Sequence, residues 1–174
     1  MSTIQQKFIL KLPRGYSRET VVKIANRVIQ TIKERTAQGL DRNGKAFPKY
    51  SKTYEKVKGQ SNVDLELSGE MLDQLQVLSV GFSVATIGFP NLAEINGRVE
   101  GNRLGSYGGD PDPKKARDFL GITKADLDTI LEDFPQTNAE QEEQVRTNIA
   151  IAQVETLQPR ARRLLIQQAL IDEA

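Results

Sequence analysis

Apolar residues recur along the chain with two different periods, and the switch between them marks the first elements. Phe8, Leu10 and Leu12 alternate with Lys7, Ile9 and Lys11, the two-residue period of a strand with one buried face. Pro13, Arg14 and Gly15 then make a turn. Beyond it the period becomes helical: Val21, Ala25, Val28 and Ile32 fall on one stripe, widened by Val22, Ile24 and Ile29. Ser17 is placed to cap this segment, Glu19 suits the positive end of its dipole, and Gly39 stops it. A helix is therefore predicted over Arg18–Ala37.

The pattern weakens after Gly39. Ser51–Lys58 is polar and long enough for two helical turns. "SGEMLDQL" predicts a short helix with Met71, Leu72 and Leu75 facing inward. "QVLSVGFSVATIGF" is rich in Val, Phe, Ile and Thr and predicts two antiparallel strands with a turn at Gly81. Asn91–Asp112 holds many glycines and is expected to be a long loop, mobile or ordered by a partner. "TKADLDTILEDF" opens with Thr123 and Asp126 as a capping pair, and Leu127, Ile130 and Leu131 give it an apolar face. A segment over 139–157 reads as helical, Pro159 ends or kinks it, and "ARRLLIQQALI" reads as a last amphipathic helix.

Together these elements predict an α+β fold: a small antiparallel β-sheet packed by a long N-terminal helix, with a C-terminal helical extension. Residues 1–135 form the core and 136–174 a helical arm. Val145, Ile149 and Ala152 give the arm an apolar stripe with two open placements, against its own core or against a neighbouring chain.

Composition narrows the chemistry more than the fold. The 174 residues include no cysteine, which removes disulfides, thiolate metal sites and cysteine nucleophiles. There is no histidine either, the commonest general base and transition-metal ligand. No catalytic constellation, metal site or cofactor motif is singled out. No apolar run reaches the roughly 18 residues a membrane helix needs, and "MSTIQQKFILKLPRG" does not resemble a signal peptide. The net charge of +1 conceals a polarity along the chain. Through Gln60, fourteen Lys and Arg stand against four Asp and Glu; from Ser61 onward, ten stand against nineteen. The two halves can neutralise each other within one fold or across neighbouring copies, or the basic half can meet nucleic acid.

The basic half contains "GLDRNGKAFPKYSKTYEK", Gly39–Lys56, the least ordinary stretch in the chain. It is not a calcium loop: Tyr50 stands six residues past Gly44, where an EF-hand places its bidentate glutamate, and Lys45 puts a cation among the ligand positions. It lacks the spacing of a phosphate-binding loop and follows a helix rather than a strand. Asp64, Glu66 and Glu70 read as a solvated strand edge. Two readings of the basic and aromatic mix stay open. Its aromatics can stack bases while its lysines neutralise phosphates. Alternatively, Phe47 and Tyr50 dock on the helix and leave the lysines in solvent.

Three blocks in order, "ERTAQGLDRNGKAFPKYSKTYEKVK", "DLELSGEMLDQLQV" and "ARDFLGITKADLDTI", resemble the phage virion morphogenesis, or tail completion, family of contractile-tailed phages. The matching residues are Arg35, Thr36, Gly39, Asp41, Gly44, Phe47, Tyr50, Ser51, Tyr54, Leu67, Gly69, Met71, Arg117, Phe119, Leu120 and Gly121. The resemblance spans Val21 to Leu131. The chain departs from the pattern where the family often carries a histidine–glutamine–glycine segment and this sequence reads "LAEINGRVEGN".

The resemblance implies a non-enzymatic structural protein of the virion neck, made in the bacterial host cytoplasm. Its copies would form a homo-oligomeric ring, expected to be a hexamer, that completes the tail and joins it to the connector below the portal. Its neighbours would be the connector, the tail tube and the sheath, with DNA passing through the lumen without sequence-specific binding and no membrane involved. The glycine-rich turn becomes a hairpin-like excursion pinned by Phe47 and Tyr50, its charged edge against an adjacent subunit. Interface residues expected on this reading are Arg42, Lys45, Phe47, Lys49, Tyr50, Tyr54, Arg103, Tyr107, Arg117 and Phe119. The alternative is a nucleic-acid-binding module using residues 42–58.

Overall fold

The structure is a computed structural model and describes residues 4–52, 55, 56, 59, 63, 65, 70–106, 109–136, 145, 146 and 148–150. The fold is α+β: a three-stranded antiparallel sheet packed by a long N-terminal helix. The chain divides into two compact units, Met1–Pro135 and Gln136–Ala174. In the second unit residues 145, 146 and 148–150 are helical, with Val145 and Ile149 exposed one turn apart. The expected last helix, "ARRLLIQQALI", lies outside the described residues, as do Asp64 and Glu66.

Strand β1 spans Lys7–Lys11, β2 Gln76–Gly81 and β3 Val84–Gly88, in the spatial order β1-β3-β2. Phe8 lies opposite Ile87 and Leu10 opposite Ala85. The strand period then sends Phe8, Leu10, Ala85 and Ile87 to one face and Ile9 to the other. Accordingly Leu10, Ala85 and Ile87 are buried, whereas Ile9 is 62% exposed. A register shift between Val77 and Ser79 puts an irregularity in β2, which is why its alternation is imperfect in the sequence. The turn joining β2 to β3 lies at Phe82 and Ser83, just past the expected Gly81. Ser83 takes a left-handed φ of 52°, and its carbonyl accepts from the Leu12 N–H at 2.8 Å, tying the hairpin tip to the end of β1.

Helix α1, Arg18–Ala37, covers the buried face of the sheet and contacts β2 and β3. Ser17 caps it, its hydroxyl accepting from the Thr20 N–H at 3.1 Å. Val21, Ile24, Ala25, Val28 and Ile32 are wholly buried along one stripe. Each larger side chain among them contributes roughly 1.5–3 kcal/mol over its exposed state. Helix α2 is a single turn, Glu70–Asp73, which drives Met71 and Leu72 into the core, with Leu75 just beyond it.

The expected long loop over Asn91–Asp112 is instead largely helix. Helix α3 spans Ala93–Leu104 and packs Val99 into the chain's own core. Its buried stripe is Asn96, Val99 and Gly101, of which only Val99 is a strong apolar signal, so hydrophobic periodicity does not reveal it. Asn96 is wholly buried and replaces the missing apolar contacts with hydrogen bonds. Its amide donates to the carbonyls of Pro90 and Leu92 at 2.8 and 2.9 Å, and its Oδ1 accepts from the Gln6 N–H at 2.7 Å. One side chain thus joins the start of α3 to the entry of β1. Gly105 ends the helix with a left-handed φ of 68°, and a Cβ there would collide with the backbone of Asp112 and Ala116. Helix α4, Lys124–Glu132, begins at Thr123, whose hydroxyl accepts from the Asp126 N–H at 3.1 Å, and buries Ile130.

Replacing Asn96 by Ala leaves the part-buried Gln6 N–H without its acceptor and takes one of two donors from each of the Pro90 and Leu92 carbonyls, whose backbone partners remain. The expected loss is roughly 2–4 kcal/mol of unfolding free energy in urea titration. A loss below about 1 kcal/mol would show that Asn96 does not set the α3–β1 junction.

Candidate assembly interface

The sequence expects a surface around the glycine-rich turn, and its geometry begins at the last turn of α1. Gly39 takes a left-handed φ of 77°, turning the chain back. Leu40 pairs with Ala46 as an isolated antiparallel bridge, and the Phe47 N–H donates to the Gly39 carbonyl at 2.7 Å. Between them Asp41 holds the tip. Its Oδ1 accepts from the N–H groups of Asn43 and Lys45 at 2.8 and 2.9 Å, and Gly44 supplies a φ of 75°. The carboxylate is therefore engaged by backbone donors, as in an Asx turn. Gly39–Phe47 is a tight hairpin-like excursion, and Phe47 is buried at its foot.

A segment some 70–85 residues later in the chain completes the region. Arg35, on the last turn of α1, is buried and points its guanidinium at this segment. Its Nη2 donates to the carbonyls of Phe119 and Gly121, both at 2.9 Å. Its Nη1 lies 3.6 Å from an Asp126 carboxylate oxygen and 3.4 Å from the Arg42 carbonyl. Burial pushes the Arg35 guanidinium down from its ordinary pKa, while the carboxylates of Asp126, Asp41 and Asp118 pull it back up. Arg35 Nε and Thr36 Oγ1 are buried without a hydrogen-bond partner among the described residues, so the forked end of the guanidinium does the holding.

Arg117 is buried as well and makes a second staple. Its Nε and Nη2 donate to the Pro48 carbonyl at 3.3 and 3.2 Å. The same guanidinium lies 4.9 Å from the centre of the Tyr50 ring, a cation–π contact. Phe119 is wholly buried and meets Phe89 edge-on, ring centres 6.4 Å apart. Asp118 ties two more arginines together: its Oδ2 lies 3.0 Å from Arg42 Nε and its Oδ1 accepts from Arg103 Nε at 3.1 Å. Arg103 also reaches the Gln6 side chain at 2.8 Å.

The ten residues expected to meet a neighbour separate accordingly. Phe47, Arg117 and Phe119 are buried in the chain's own fold and cannot present a contact surface. Tyr50, Arg42 and Arg103 are half-buried or committed to internal partners. Lys45 and Lys49 are exposed. Tyr54 and Tyr107 lie outside the described residues. The sequence did not single out Arg35 as a site residue, nor Asp118. An arginine closing a helix beside a glycine turn is the signal available for the first, and nothing local marks the second. Among the described residues no helix is long and apolar enough to cross a membrane.

Comparison with family models, with curated proteins and with solved structures returned no match.

Replacing Arg35 by Lys keeps the charge but loses the second terminal nitrogen, so one group can no longer serve the Phe119 and Gly121 carbonyls together with Asp126 and the Arg42 carbonyl, with an expected cost of roughly 2–4 kcal/mol. Replacing Phe47 by Ala is expected to cost roughly 3–5 kcal/mol, and Lys45 by Ala less than about 0.5. Chemical denaturation of the three variants checks the order. An unchanged midpoint for Arg35→Lys would remove the guanidinium from its anchoring role.

Proposed function

We propose that this chain is a structural, non-enzymatic component of a phage virion. It acts at the head–tail junction, where its copies form a ring that completes the tail and joins it to the connector. The proposed ring is six-membered, its neighbours are the connector, tail tube and sheath, and DNA runs through its lumen without sequence reading.

One observation carries the reading. Two of the sequence blocks that resemble the tail completion family are far apart in the chain and form one continuous cluster in the fold. Arg35, from the first block, donates to Phe119 and Gly121, from the last. Arg117, from the last, donates to Pro48 and covers Tyr50, from the first. Residues chosen by a sequence pattern alone have no reason to meet across more than 80 positions unless the pattern encodes one structural unit. This unit anchors the first part of the basic stretch Gly39–Lys56, a charged strap, at the end of α1, which is what a subunit needs to present a fixed surface to a neighbour.

The rival reading, nucleic acid bound through residues 42–58, loses part of its chemistry here. Phe47 is buried and Tyr50 lies under Arg117, so neither ring is free to stack on a base.

The test is location. An epitope-tagged chain in phage particles, labelled with gold antibody and viewed by negative stain, is expected at the boundary between head and tail. Particles that are complete and infectious without the chain would overturn the proposal, as would label confined to the host cytoplasm.

A further inference from the structure

The strap sorts its cations by type. Its arginine, Arg42, is paired with Asp118, and the arginines that hold the strap in place, Arg35 and Arg117, are buried. Its lysines are left over. Lys45, Lys49, Lys52 and Lys56 are all exposed, and among the described residues none has a carboxylate within ion-pair distance. Lys52 and Lys56 are helical and one turn apart, with the Glu55 N–H donating to the Ser51 carbonyl at 2.9 Å. The backbone beneath Lys45 and Lys49 is fixed by the Asp41 turn, buried Phe47 and the grip of Arg117 on Pro48.

An acidic surface is left over in the same unit. Helix α4 carries Glu132 at its last position and Asp133 as its C-cap, both exposed and neither paired with a cation among the described residues. Negative charge at a helix C-terminus is opposed by the helix dipole, so an external cation there gains twice. The nearer acids of this helix are already used: Asp126 faces Arg35 and Asp128 faces Lys124. Nine residues of helix place the acidic end about 13 Å from the Thr123 cap beside the Arg35 cluster. Among the described residues the chain thus holds exposed cations and exposed anions that no ion pair of its own joins.

We infer that Lys45, Lys49, Lys52 and Lys56 are the docking surface for Glu132 and Asp133, the acidic end of α4, of a second copy of this chain. The inference rests on the proposal that copies assemble, and it names the contact. Charge complementarity identifies the occupant. A surface dedicated to nucleic acid ordinarily leaves its protein strongly basic, whereas here the net charge is +1 and the sequence pI about 7.9. Exposed lysine–carboxylate pairs are individually weak and screened by salt, so one contact holds poorly and several closing together hold well.

Sedimentation velocity of the full-length chain tests this at low and high salt. Self-association is expected at about 50 mM salt and at least about tenfold weaker at about 500 mM. Two charge-reversed proteins follow, one with Lys45→Glu and Lys49→Glu, the other with Glu132→Lys and Asp133→Lys. Each alone is expected to lose self-association by about tenfold or more, and an equal mixture to recover it. Thermal melts matching the parent protein establish that both fold, and Lys45→Gln with Lys49→Gln replaces the reversal if its melt shifts. Failure of the mixture to recover overturns the inference, as does association indifferent to salt or a parent protein that stays monomeric at low salt. A lysine variant that self-associates normally but no longer retards a random DNA duplex at low salt also overturns it, and assigns the strap to nucleic acid. These results are independent of location: absence of the chain from particles would sink the virion proposal and leave a confirmed charge-swap standing.

Discussion

Everything at this end of the molecule depends on a buried guanidinium. Arg35 lies where α1 ends, and a helix end offers the rest of the chain carbonyl groups and little else to hold on to. Taking a cation out of water there is expensive unless its donors are matched. Arg35 meets that condition by donating to two carbonyls of the 119–121 segment, with the Asp126 carboxylate alongside. The interaction runs both ways. The segment gains a fixed path past the helix, α4 starts where its Thr123 cap can form, and Arg42 is brought within reach of Asp118. A lysine has one donor nitrogen and could not serve Phe119 and Gly121 while also meeting Asp126 and the Arg42 carbonyl, as the two terminal nitrogens of Arg35 do.

The same chemistry explains why the basic stretch is two things at once. Arginines bond flat, forked and with little water, so they can be spent inside: Arg35 and Arg117 are buried, and Arg42 and Arg103 close on Asp118. Lysines keep a strongly hydrated point charge and remain outside, as Lys45, Lys49, Lys52 and Lys56 do. The sequence reads as a single run of positive charge because formal charge does not distinguish these behaviours. At this end of the fold Arg35, Arg42, Arg103 and Arg117 act as scaffold, and Lys45, Lys49, Lys52 and Lys56 are surface.

That distinction also measures how much was legible beforehand. Helix α1 and strand β1 were, because their buried positions are apolar and recur with the period of their element. The sequence allows Phe47 two readings, docked on the helix or offered to a partner, and its burial agrees with the first and not the second. Helix α3 was missed because its buried stripe is Asn96, Val99 and Gly101, specified by hydrogen bonds to Gln6, Pro90 and Leu92 that no periodicity reports. Arg117 and Phe119 were singled out, yet as surface. Their burial comes from contacts with Pro48, Tyr50 and Phe89, which a local reading of the sequence cannot see.

The sheet bears on which route of association the fold leaves open. A three-stranded sheet has two edges, and β1 forms one of them with Ile9 exposed on its outer face. Left bare, such an edge invites indiscriminate strand pairing. Lys7 and Lys11 stand two residues to either side of Ile9 on the same face, both exposed, and a strand arriving there must desolvate two ammonium groups. Positive charge on the sheet edge therefore works against a second β1 approaching antiparallel, since each lysine would meet its counterpart. The strap carries the same sign without that conflict, because an anion rather than another strand is its natural complement. With the β1 edge guarded by its lysines, the proposed contact between copies falls to the exposed lysines of the strap, and a contact made of such pairs is reversible and salt-sensitive, the kind that can correct itself before a closed assembly locks.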